Sequence, residues 1–115
     1  MSGMVDPNGE DHDIFNGKVE RLTGDKTLSP SDKGKLFRCD SAANVTVTAP
    51  ANLPEGFNVG LAMWAAGTVT VAAGSGATNR SSKTALSTQY QMGSLLVMKN
   101  ASGAAAEFVL GGDFA

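Results

Sequence analysis

Two short ribbons of alternating valine and threonine constrain this chain more than any other feature. NVTVTAP runs from Asn44 to Pro50, and GTVTVAAG from Gly67 to Gly74. β-Branched residues at nearly every position favour extended backbone, and the period of two gives each ribbon a valine face and a threonine face. Pro50 and Gly74 then stop the strands. Four further runs read the same way: KLFRCD at 35–40, FNVGLAMWAA at 57–66, GSLLVMKN at 93–100 and AEFVLGG at 106–112. Turn clusters such as SPSDKGK and APANLPEG separate them. Short alternating strands between turn signals predict an all-β fold, a small antiparallel sandwich or barrel.

The opening residues differ in character. Asp6, Glu10, Asp11 and Asp13 all precede the first Lys or Arg, so residues 1–24 read as an extended acidic N-terminal arm and 25–115 as the β domain. Within the arm, Phe15, Val19 and Leu22 have helical spacing. The run is too short and too interrupted by Gly17 for an isolated helix, and is expected to order only against another surface. MSGMVDPNGEDHD has neither a basic nor an apolar signal region, and no apolar run approaches a bilayer span, so synthesis in the cytoplasm without a membrane partner is expected.

Chemistry-bearing residues are scarce. The net charge of −2 and pI near 5.2 leave no electrostatic footprint for nucleic acid. Cys39 is the only cysteine, which excludes an internal disulfide, and it reads as a small apolar strand residue. The one histidine, His12, lies in the acidic arm, where EDHD offers no closed metal shell and no positioned base. GSGATNRSSKT at 74–84 superficially resembles a phosphate-binding loop. Ser82 stands where that motif needs glycine before Lys83, and no helical pattern follows. The sequons at Asn44, Asn79 and Asn100 follow from the abundance of Ser and Thr. No catalytic residue, metal or cofactor is expected, and the chain does not read as an enzyme.

What stands out is one face of FNVGLAMWAA. Phe57, Val59, Leu61 and Met63 fall on one side, and Asn58, Gly60, Ala62 and Trp64 on the other, with no charge where an exposed sheet normally carries Lys or Glu. Small uncharged residues let another surface approach. Asn58, Gly60, Ala62 and Trp64, with Phe15, Val19 and Leu22 of the arm, are therefore candidate contact residues.

The run from "SDKGKLF" through the Val-Thr strand, the "LPEGF" turn and "GTVTVAAGSGAT", residues 27 to 78, resembles small β-structured modules of tailed-bacteriophage virion proteins. The resemblance implies a non-enzymatic structural protein that assembles as a homotrimer on the virion, with the major capsid protein or other virion proteins as partners. A capsid decoration or cement role is the leading expectation, and the base of a head or tail fibre or spike the next. A host-surface carbohydrate-binding module is a third reading. It needs aromatics clustered on one loop rim, for which only Trp64 and Tyr90 are available.

Overall fold

A computed structural model describes residues 18–115 of the protein. They form ten strands and no α-helix: β1 (Val19–Leu22), β2 (Lys26–Thr27), β3 (Leu36–Cys39), β4 (Val45–Ala49), β5 (Asn58–Met63), β6 (Val69–Ala73), β7 (Thr78–Asn79), β8 (Ala85–Leu86), β9 (Met92–Lys99) and β10 (Glu107–Gly112). All six expected strands are present. The all-β expectation holds, but neither sheet closes into a barrel, and the pairing is mixed rather than antiparallel throughout.

The two sheets are mixed. One has six strands in the order β1-β3-β5-β9-β10-β7 and the other four in the order β2-β4-β6-β8. Five of the eight strand pairings are parallel. Parallel neighbours cannot be joined by a tight hairpin and need a crossover. Here the crossover is a strand of the opposite sheet: the chain passes from β1 to β2, back to β3, across to β4, back to β5 and across to β6. It thus winds in stacked turns, with Val19 beside Leu36 and Leu36 beside Gly60 in one sheet, and Lys26 beside Val47 in the other. After β6 the direction reverses, and β9 and β10 complete the larger sheet antiparallel to β5 and to each other.

The alternation read from the ribbons places the core. Val45, Val47, Val69 and Val71 are buried, and pack with Phe37, Phe57, Leu61, Leu95 and Phe108 of the larger sheet in one hydrophobic cluster. Thr46, Thr48 and Thr70 face away from it, aligned across β4 and β6. Burying a valine or phenylalanine side chain in such a cluster contributes roughly 1.5–3 kcal/mol. The inner faces of both sheets therefore supply most of the driving force.

The end of the expected arm belongs to this fold. Val19–Leu22 is not helical. It is a strand paired along its length with β3, at the edge of the sheet among the described residues, and Leu22 packs against the core. Phe15 and the acidic stretch lie outside the described residues. The first turn of the winding is fastened by a chain of four charges. Asp32, at the end of a 3-10 turn over Pro30–Asp32, is buried and accepts a hydrogen bond from the Ser29 N–H at 2.9 Å. Lys35 Nζ lies 3.0 Å from Asp32 and 3.0 Å from Glu20 of β1, and Lys26 Nζ of β2 lies 3.4 Å from Asp32. Burial pushes the Asp32 carboxyl up, but the Ser29 N–H and the two lysines outweigh it and hold it below the ordinary carboxylate range. The hydrogen bonds to Asp32 and Glu20 raise the Lys35 ammonium above its ordinary value.

Candidate functional site

The outer face of the six-stranded sheet is built by strand register. Residues paired across strands share a face, so Leu36, Gly60, Ser94 and Gly111 form one row, and Arg38, Ala62 and Met92 the next. Asn58, Leu96 and Val109 form a third. On β9 three of the four outward side chains are large and apolar: Met92, Leu96 and Met98 are 41%, 38% and 59% exposed, with Ser94 among them. On β5 beside it the outward residues are Asn58, Gly60 and Ala62, and on β10 Val109 and Gly111. The exposed apolar side chains therefore form a ridge along β9, beside smaller residues on β5. Its centre carries no charge, and the guanidinium groups of Arg21 and Arg38 stand to the β1 and β3 side.

The candidate contact residues fall in different places on this surface. The register puts Asn58, Gly60 and Ala62 on the outer face, and Trp64 lies just past the end of β5. Gly60 and Ala62 are buried beneath larger neighbours, whereas Trp64 is half-exposed. Val19 is exposed at the far edge, and Leu22 is drawn toward the core. The β9 ridge was not among the expected residues. Its signal is GSLLVMKN itself, in which Ser94, Leu96 and Met98 alternate with the core residues Leu95 and Val97.

At one end of the face the chain brings its single tryptophan and single tyrosine together. Trp64 and Tyr90 meet edge to face, with ring centroids 5.0 Å apart and planes at 75°. They are 26 positions apart in a sequence where the aromatics look dispersed. The antiparallel pairing of Ala62 with Met92 makes them neighbours. Tyr90 has a φ of 73°, the left-handed region that costs a bulky residue roughly 1–3 kcal/mol. Its surroundings hold it there. The Tyr90 N–H donates to Met63 O at 2.6 Å, the Met63 N–H to Gln91 O at 2.9 Å, and the Gln89 amide to Trp64 O at 3.1 Å. The Gln91 side chain accepts from the N–H groups of Ser87 and Thr88, each at 3.1 Å.

The remaining polar candidates are occupied as structural staples. Asn100 donates to the carbonyls of Ala51 and Leu53 and accepts from Ala105 N–H, tying two loops together. Asn44 accepts from Thr68 N–H, and Asn79 holds the start of the 79–84 loop through Ser81 and Lys83. Glu107 pairs with Arg80 and Glu55 accepts from Asn100 N–H. Cys39 is buried, and desolvation pushes its thiol up to about 11, so it is not a ready nucleophile. Among the described residues no three His, Cys, Asp or Glu side chains are close enough to hold a metal ion. No helix among them is long and apolar enough to cross a membrane. No protein-family model, curated protein or solved structure matches the chain.

Proposed function

We propose that the protein is a structural virion subunit, a capsid decoration or cement protein that works by assembly and carries out no catalysis. The observation that carries the assembly reading is the outer face, uncharged at its centre, with its exposed apolar β9 ridge. Met92, Leu96 and Met98 stand out from that face, and a second copy of the same surface can cover them by packing ridge beside ridge. Behind that face the two sheets stack as a sandwich over a shared core, which gives the contact a rigid backing. The trimer and the capsid partner are drawn from the resemblance of residues 27 to 78 to phage virion modules. The winding of β1 to β6 favours a second reading. Among the described residues β1 and β2 are the end strands of the stacked turns, where further strands can continue the winding, as suits the base of a fibre or spike.

Leu96→Glu tests the self-association. It places a carboxylate on the ridge, where a free subunit leaves it in water and an assembled one buries it at a cost of several kcal/mol. Light scattering should show the variant as a monomer and the wild type as an oligomer; a monomeric wild type at high micromolar concentration sinks the reading. Particles lacking the protein should lose genome at lower temperature while adsorbing normally. A fibre base gives the opposite pair of results.

A further inference from the structure

We infer that Trp64 and Tyr90 form a binding corner for a neutral sugar ring, a recognition site separate from the assembly ridge. Both side chains are well exposed, at 49% and 65%. A tyrosine held in left-handed backbone, with its ring in the open, is explained neither by the core nor by the turn alone. Glycine would suit that backbone better, and the ring contributes nothing to the hydrophobic cluster. The network through Met63, Gln89 and Gln91 fixes the loop, so the two rings are set in place before any ligand arrives, which lowers the entropy lost on binding.

The chemistry of the corner selects the ligand class. Rings set at 75° present an apolar face beside an aromatic edge, and their indole N–H and phenol O–H make no hydrogen bond to the described residues. The Gln89 side chain adds an amide at the rim. Apolar faces bordered by uncharged donors and acceptors match a pyranose, which has a C–H face and a hydroxyl rim. At this end of the sheet Arg21 pairs with Asp40 at 3.0 Å, Arg38 stands in the row of Ala62 and Met92, and the Asp113 carboxylate accepts from the Met92 N–H at 3.1 Å, so the surrounding charges balance and leave no excess of either sign for a phosphate or an ammonium. The position also separates the corner from the ridge. Trp64 lies beyond the end of β5 and Tyr90 before the start of β9, on the loop rim.

The chain has one tryptophan, so its emission reports on the corner alone. The full chain is titrated with neutral tri- and tetrasaccharides of glucose, galactose, mannose and N-acetylglucosamine. A saturable emission shift is expected with at least one of the four, at a dissociation constant on the order of 0.1–1 mM. Tyr90→Gly, which removes the ring and relaxes the backbone, should weaken that binding about tenfold or more. Leu96→Glu should leave it unchanged whether or not it dissociates the oligomer, so failure of the assembly reading does not touch this one. No saturable shift with any of the four sugars overturns the proposal, as does undiminished affinity in Tyr90→Gly. A Tyr90→Gly protein that changes oligomeric state while the wild type binds no sugar overturns it too, and assigns the corner to a subunit contact.

Discussion

Replacing Asp32 by Asn keeps the shape of the buried side chain and removes only its charge. Breaking a fully buried ion pair from one side costs about 3–5 kcal/mol, and an exposed pair about 0.2–1 kcal/mol. The Asp32 side chain is 3% exposed but its partners Lys26 and Lys35 are 25% and 26% exposed, so the lysines regain water in part, and Lys35 keeps Glu20. An intermediate loss of about 2–3 kcal/mol follows. With a urea slope of about 1.5 kcal/mol per molar, the unfolding midpoint should fall by about 1.3–2 M. The pH dependence identifies the cause. Asp32 is depressed in the folded state, so its contribution is full above the unfolded carboxyl value near about 4 and disappears as pH falls through the lower folded value. Lys35 is raised, so its contribution is full below about 10.4 and is lost as pH climbs through the folded value. The difference between wild type and Asp32→Asn should therefore be constant from about pH 5 to 9 and shrink toward acid. Urea melts monitored by circular dichroism measure it. A loss under about 0.5 kcal/mol, or a difference that fails to shrink at all as the pH is taken down from about 4 through the acid limb, refutes the assignment of this network as a charged fastening.

Gly93→Ala should destabilise by about 1–3 kcal/mol or more in the same melts, because its Cβ would lie 2.4 Å from both Gly111 O and the buried Phe114 ring; unchanged stability would mean that β9 and β10 do not pack this closely. Asn100→Ala should cost about 2–3 kcal/mol by leaving the carbonyls of Ala51 and Leu53 and the N–H of Ala105 without their partner, while Asn100→Asp, which turns a carboxylate oxygen toward those two carbonyls, should cost at least as much. Cys39 should resist iodoacetamide at about pH 8 in the native protein and react once it is denatured; rapid native labelling, read by mass spectrometry, would contradict its burial.

The strands were legible where alternation is strong. Val45 to Thr48 and Val69 to Val71 announce both their conformation and their inward face, and the uncharged side of β5 is visible at Asn58, Gly60, Ala62 and Trp64. Strand direction was not legible. Alternating half-buried strands usually mark antiparallel pairs, and the connections between strands are compatible with either direction. Only the exchange of successive strands between two sheets makes the parallel arrangement possible. The two-residue strands β2, β7 and β8 carry no periodicity to detect. Asp32 sits in SPSDKGK, a cluster that reads as a solvated turn, and nothing local shows that Lys26 and Glu20 converge on it and on Lys35 from neighbouring strands. Trp64 and Tyr90 each stand out in the sequence, but their contact depends on the register of β5 against β9.

The winding between sheets also sets the order in which the chain can fold. Each parallel pairing joins segments separated by a whole turn, so little structure is available from local contacts, and folding of this kind is slow for its size. During synthesis β5 gains β3 as a neighbour early, but its other edge stays open until Met92–Lys99 has emerged and turned back along it. Until then an apolar strand presents unpaired backbone to every other nascent copy. On the proposed assembly the chain passes through an interval in which the wrong meeting is available, and the speed with which β9 closes that edge decides how much of it reaches the assembled form.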